Sequence, residues 1–221
     1  MRQIVLDTET TGFSYNGDDR IIEIGCIEII DLMPTGNFFH CYINPERTVP
    51  KVVEELTDLN YIFLSDKPLF KQIAKRLVDF IGDSEIIAHN ADFDMNFINA
   101  ELVSCGYPMT ERSKWIDTIK IAKQVAPGAK KSLDALLKRF GISNEGRKYH
   151  TAIYDSLKLS QLYIELCGGK EYKIEFASQE PKNEFDYPVV KTKTKIIQLS
   201  DEQMSIHKSF AKNKKLLNWV Y

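Results

Sequence analysis

The chain has 221 residues, enough for one full domain with an appended segment. Hydrophobic residues make up 43% and aromatic residues 11%, which excludes a disordered chain, and no apolar run reaches the roughly 18 residues of a membrane helix. The 29 Lys and Arg against 31 Asp and Glu give a net charge of −2, and the acidic residues dominate positions 1–167, so the broad basic surface that grips a long duplex is excluded. Asp7 interrupts the N-terminal apolar run too early for a signal peptide, so we expect a cytoplasmic protein.

Hydrophobic periodicity predicts strands that pair first and then alternate with helices. The predicted strands cover residues 2–9, 20–31, 38–43, 85–89 and 115–118. The predicted helices cover residues 50–56, 67–81, 92–106, 118–125, 132–140 and 151–167. This order predicts an α/β domain with a mixed sheet.

The composition changes after residue 169. We therefore divide the chain into a domain over 1–169, a flexible linker over 170–199 and a C-terminal segment over 200–221. Ser200 begins a short helical pattern in that last segment. A helix of this size cannot bury its own apolar face, so the pattern predicts a partner protein.

The four cysteines lie far apart in sequence and form no C-x-x-C pair. This spacing favours reduced, buried thiols over a disulfide framework or a zinc site.

Asp7 and Glu9 end the first predicted strand and are separated by one residue. Residues i and i+2 of a strand share a face, so we expect the two carboxylates to project side by side. Adjacent like charges raise the pKa of carboxyl groups unless a cation lies between them, and carboxylate oxygens suit Mg²⁺ or Mn²⁺. A solvated turn at the strand end is the alternative, which Thr10, Thr11 and Gly12 favour.

Residues 89–94 (HNADFD) lie where a predicted strand passes into a helix. The helical period places Asp94 at the head of an apolar face, near the sheet. An acid that offsets the helix dipole is the alternative, and it suits Asp92 better. An EF-hand loop is excluded, because Phe97 and Val103 occupy the positions that require Gly and Glu.

Residues 150–155 (HTAIYD) begin the last predicted helix of the domain. His150 is expected on the loop before the helix, with Thr151 as the N-cap. Asp155 lies inside the helix on an apolar stripe, where a carboxylate needs a partner. A lone histidine is more often structural than catalytic, so the pattern alone leaves the role of His150 open.

The four acids make more sense together than singly. Asp7, Glu9, Asp94 and Asp155 come from a first strand and two helix starts that a single sheet can bring together. Such a set of carboxylates indicates a site for two divalent metal ions.

Three segments resemble the motifs of the DEDDh family of 3′→5′ exonucleases: residues 5–12 (VLDTETTG), 89–94 (HNADFD) and 150–155 (HTAIYD). The similarity spans residues 1–167, and the connecting stretches most resemble the proofreading epsilon subunits of bacterial DNA polymerase III. The tyrosine-type variant of the family would carry Tyr four residues before the last Asp. Thr151 stands there, so His150 places the chain in the histidine branch.

The resemblance implies an α/β ribonuclease H-like fold, a mixed β-sheet flanked by helices. Asp7, Glu9 and Asp155 would bind one divalent ion, Mg²⁺ or Mn²⁺, and would contact the substrate. Asp7 would bridge to a second ion, which Asp94 supports through water. His150 would act as the general base on the attacking water, and the substrate would be the 3′ end of single-stranded or frayed DNA.

The chain departs from the family at two places. Many members carry His-Gly-Ile or Thr-Gly-Ile against the substrate strand, where this chain has Thr57-Asp58-Leu59. The resemblance makes Thr57 a substrate contact, but Asp58 replaces the glycine. Residues 170–176 (KEYKIEF) lack the glutamine-led pattern of a clamp-binding peptide, so they indicate sliding-clamp binding only weakly.

The resemblance also implies protein partners. Residues 200–221 resemble the segment with which epsilon subunits dock on the polymerase (alpha) subunit, and a small theta-like subunit is a further expected partner. Two alternatives remain open: a stand-alone DEDDh exonuclease that acts on RNA or in DNA repair, and a catalytically inactive exonuclease fold kept as a scaffold. Retention of the acids and of His150 argues against the scaffold.

Overall fold

The computed structural model describes residues 1–144 and 149–168, and these residues form a mixed sheet with helices on both faces. The strands are β1 Arg2–Thr10, β2 Ile21–Ile30, β3 Met33–Tyr42, β4 Glu85–Ala88 and β5 Trp115–Asp117. Their order across the sheet is β3-β2-β1-β4-β5. The first three strands form an antiparallel meander, and β4 and β5 run parallel to β1. The predicted mixed α/β sheet is confirmed.

Helices connect and cover the strands. They are α1 Lys51–Thr57, α2 Tyr61–Leu64, α3 Phe70–Ile81, α4 Ala91–Ser104, α5 Thr118–Val125, α6 Leu133–Arg139 and α7 Ala152–Leu166. The single turn α2 was not predicted, because four residues show no helical period. The Asn60 side chain begins it by accepting a hydrogen bond from the backbone N–H of Phe63.

The third strand begins five residues earlier than predicted. Its first half, Met33–Asn37, is exposed at the edge of the sheet and includes Pro34 and Gly36. Pro and Gly are depleted in strands, so the sequence pattern ended the strand too soon. The helix predicted over 67–81 begins only at Phe70.

Alternate residues of β1 pack into separate cores on the two faces of the sheet. Ile4 and Leu6 contact the core built with α3 and α4, whereas Val5 belongs to the core built with α5, α6 and α7. The central strand is thus apolar on both sides, as its Ile-Val-Leu run requires. The helices α4 and α7 therefore reach β1 from opposite faces.

The four cysteines are free thiols, as expected. Only Cys26 is buried, so the expectation of burial is wrong for Cys41, Cys105 and Cys167, which are partly exposed. Over the described ranges, no helix is long and apolar enough to cross a membrane. The linker over 170–199 and the helix predicted from Ser200 lie outside the described residues.

Candidate metal centre and active site

The site forms at the C-terminal end of β1. Asp7 and Glu9 are both partly exposed and lie one step apart on the same face of the strand. Strand β4 pairs with β1 only from Gln3 to Val5, so the rest of that edge of β1 is open. Side chains from the helices can therefore reach the backbone of β1 beside the two acids.

Asp94 occupies this open edge. It lies in the first turn of α4, is buried, and its Oδ1 accepts hydrogen bonds from the backbone N–H and the hydroxyl of Thr8 at 3.0 and 2.8 Å. Burial raises the pKa of Asp94 to about 7, although the hydrogen bonds from Thr8 act to lower it. Asp92, the alternative helix-dipole acid, is exposed and pairs with Arg112 at 2.9 Å.

Helix α7 carries Asp155 to the other face of β1. Gly25 of β2 permits this approach, because a Cβ atom there would lie 2.3 Å from the carbonyl carbon of Ala152. The hydroxyl of Ser156 also donates a hydrogen bond to the Gly25 carbonyl oxygen at 2.8 Å. Asp155 is consequently buried in the first turn of α7, above the sheet.

His150 precedes α7, as predicted. Its backbone N–H donates to the Leu56 carbonyl oxygen at 2.9 Å, and its half-exposed ring places Nδ1 3.4 Å from Oδ2 of Asp155. Thr151 occupies the N-cap position but makes no capping hydrogen bond with its side chain. The histidine is thus held by backbone on one side and lies against a buried carboxylate on the other.

The acids and the histidine form one cluster. Ligand atoms of Glu9, His150 and Asp155 all lie within 4.8 Å of one another. Burial raises the pKa of Asp7 well above its ordinary value, and the charges of Asp94, Glu9 and Asp155 raise it further. A divalent cation would offset this repulsion, and the carboxylate oxygens are ligands that suit Mg²⁺ or Mn²⁺. The donor set therefore fits a metal centre.

Thr57 is the last residue of α1. It follows Leu56, whose carbonyl oxygen accepts the hydrogen bond from the backbone N–H of His150. The side chain of Thr57 is buried, and its hydroxyl donates to Val53 and accepts from the N–H of Leu59. Asp58 has φ 60°, the left-handed conformation that glycine adopts without strain, so the turn forms despite the replacement. A substrate contact by Thr57 stays a prediction.

Sequence reasoning did not single out Phe13, an exposed aromatic residue in the segment after β1. Phe13 is 90% exposed, and its ring lies edge-on to Phe93 with 6.3 Å between centroids. Phe93 immediately precedes Asp94, so this exposed ring lies at the same end of the sheet as the acids. The signal in the sequence was an aromatic residue directly after the Thr10-Thr11-Gly12 turn, where an apolar side chain is commonly left exposed.

The family model described as Exonuclease matches residues 4–163. The chain belongs to this exonuclease family. DNA polymerase III subunit epsilon of Rickettsia typhi is 40% identical to the exonuclease over 220 residues, which cover 95% of each chain. DNA polymerase III subunit epsilon of Escherichia coli K12 is 34% identical over 221 residues, covering 94% of this chain and 91% of the relative.

Solved structures agree with the assignment. Exonuclease X in complex with 5′ overhanging duplex DNA is 26% identical to this exonuclease with a TM-score of 0.61, covering 76% of this chain and 93% of that one. A DEDDh nuclease domain bound to rAMP has a TM-score of 0.66 at 18% identity, covers 76% and 92% of the two chains, and supports the fold alone. The ribonuclease H-like fold is confirmed, and membership of the family implies divalent metal ions at the site.

Proposed function

We propose that this exonuclease is the proofreading subunit of a bacterial DNA polymerase III and removes mismatched 3′-terminal nucleotides from DNA. The observation that carries the proposal is the extent of the similarity. The epsilon subunit of Rickettsia typhi aligns with 95% of this chain, and that of Escherichia coli K12 with 94%. The similarity to the epsilon subunits thus extends beyond the matched exonuclease domain, which ends at residue 163.

The clustered residues divide the chemistry between them. Asp7, Glu9 and Asp155 would hold one divalent ion, Mg²⁺ or Mn²⁺, and Asp7 together with Asp94 would hold a second. When bound, such ions lower the pKa of water and offset charge on the phosphate. His150 accepts the proton of the water that attacks the terminal phosphodiester, because its half-exposed ring lies beside these carboxylates.

The site favours a strand end over a duplex. An acidic surface repels phosphate, so substrate binding as well as cleavage should require the cations. The exposed ring of Phe13 offers a stacking surface for an unpaired base. A mismatched 3′ end frays at a smaller free-energy cost than a paired end, so it enters such a site more often.

Incubation of the chain with a 3′-mismatched DNA primer-template, a matched one and an RNA strand, with and without Mg²⁺, tests this function. Stepwise shortening of DNA that needs the metal and is faster at the mismatch is expected. Preference for RNA would favour the stand-alone exonuclease. Failure to cleave any substrate, even with the polymerase subunit present, would favour the scaffold.

The proposed partners follow from the same function. The epsilon relatives imply a polymerase complex, and residues 200–221 would dock on its polymerase subunit. A theta-like subunit and, more weakly, the sliding clamp are further candidates, and such a replication protein would act in the cytoplasm.

A further inference from the structure

One buried carboxylate beside the site has no role in the chemistry proposed above. Glu23 on β2 is fully buried and lies directly opposite Glu9 in the register of β1 and β2. Cross-strand partners project from the same face of a sheet, so Glu23 and Glu9 are neighbours. The charge of Glu23 also contributes to the raised pKa of Asp7.

The two oxygens of Glu23 have different surroundings. Oε1 lies 2.7 Å from Nε2 of His40, within hydrogen-bond distance. Oε2 is buried and has no hydrogen-bond partner within residues 1–144 and 149–168. A buried carboxylate oxygen without a donor is costly, so its presence beside a metal centre indicates that a donor arrives with the ligand.

His40 is held in a way that fixes the direction of this carboxylate. It lies opposite Gly25 in the register of β2 and β3, and its ring meets Tyr42 edge-on with 4.8 Å between centroids. Tyr42 is itself the cross-strand partner of Glu23. The orientation of Glu23 is therefore set by β3, whereas the acids of the proposed metal centre come from β1, α4 and α7.

We propose that Glu23 is a positioning residue of the metal centre. Its Oε2 accepts a hydrogen bond from the water that accompanies the divalent cation held by Glu9, and His40 holds the carboxylate in that orientation. Carboxylates that support metal ligands through hydrogen bonds commonly set metal affinity. The inference rests on the proposed function, since it requires the cation at Glu9.

Glu23→Gln tests the inference by Mn²⁺ titration of the full chain, followed by calorimetry. The amide preserves a hydrogen bond to His40 and the side-chain volume, and it removes a buried charge, so the metal-free variant should fold. We expect about tenfold weaker Mn²⁺ binding. Saturating Mn²⁺ should restore kcat on a short DNA strand, which a distorted structure would not allow. Unchanged Mn²⁺ affinity would overturn the inference.

Two further variants separate the possible failures. Glu28→Gln is the matched control, because Glu28 is buried on the same strand but its carboxylate accepts hydrogen bonds from Arg2, Thr35 and Asn37. It should lower stability and leave Mn²⁺ affinity unchanged. Glu9→Gln tests the proposed function itself. If Glu9→Gln weakens Mn²⁺ binding and Glu23→Gln does not, only the role of Glu23 fails; if neither does, the metal centre at Glu9 fails as well.

Discussion

Two adjacent residues of β1 serve opposite faces of the sheet. Asp7 projects toward the face that α7 covers, whereas Thr8 projects toward α4 and anchors Asp94 through its backbone and its hydroxyl. The alternation of side chains along a strand therefore lets acids from both helical layers converge at one strand end. Without cations such a cluster destabilises the fold, because the negative charges of its carboxylates repel one another.

Asp7→Asn should abolish cleavage without unfolding the protein. The variant loses the carboxylate that both cations would share, so we expect a fall in activity of more than about 100-fold. It also removes a repelling charge, so the free energy of unfolding in EDTA should be unchanged or higher. A DNA-shortening assay and urea unfolding measure the two effects. Retained activity would contradict the metal-centre interpretation.

The metal-free protein should lose stability as the pH rises. Asp94 has a folded pKa of about 7 against an ordinary value of 3.8, so the folded protein binds the extra proton between those values. Stability is then fully present below pH 3.8 and falls as the pH rises toward 7, by at most about 1.4 kcal/mol per pH unit for one group.

Asp94→Asn should flatten this dependence when urea unfolding is followed between pH 5 and 8 in EDTA. A residual slope from Asp7 is expected, because its pKa is also raised. Stability that rises with pH over this range in the unaltered protein would show that Asp94 is ionised in the folded state without metal.

Phe13→Ala should weaken binding of the strand end. Loss of one stacked base is worth about 1–3 kcal/mol, so KM for single-stranded DNA should rise about tenfold. Stability should be unaffected, because the ring is almost fully exposed. Phe38→Ala is the matched control, because Phe38 is an exposed aromatic on β3, two strands from β1 and in register with Ile27 and Val5. Equal KM values for the two variants would exclude a stacking role for Phe13.

At the scale of elements, local patterns predicted the five strands and every α-helix except α2, but they did not predict how these elements pack against one another. The sequence predicted that Asp7 and Glu9 share one face of a strand. It also predicted that Asp94 begins the apolar face of a helix. Each of these predictions depends on a single element. The close packing of α7 on the sheet could not be predicted from local patterns. It depends on Gly25, which lies against residues more than a hundred positions later in the chain. The bond from Thr8 to Asp94 similarly needs the short pairing of β1 with β4.

Gly25→Ala should displace α7 and inactivate the enzyme. The added methyl group would overlap the backbone at Ala152, which costs about 1–3 kcal/mol of stability and moves His150 and Asp155 away from β1. Gly36→Ala is the control: it has φ 87° and open space around it, so it should cost about 1–2 kcal/mol of stability without touching α7. Urea unfolding and kcat on DNA separate the two effects, and similar kcat values would refute the role of Gly25.

At the scale of the whole molecule, charge separates the body from the C-terminal part. Residues 1–167 carry a net charge of −5 and residues 168–221 a net +3. Every clustered acid and His150, the proposed general base, lie within the first of these parts. The proposed chemistry therefore draws on residues of that part alone, and we expect the remaining residues to serve a partner.

Removal of residues 170–221 should leave DNA shortening within about twofold and abolish binding to the polymerase subunit. The reason is that the proposed metal ligands and His150 lie outside the removed segment, whereas the apolar positions of the predicted helix lie inside it. Phe210 is one of the apolar positions of the helix predicted from Ser200, so Phe210→Asp in the full chain places a charge on its apolar face and should have the same effect on binding. Ser209→Asp adds the same charge at the adjacent polar position, so it should bind normally. Co-purification with the polymerase subunit measures all three, and binding that survives both the truncation and Phe210→Asp would place the interface on the exonuclease domain.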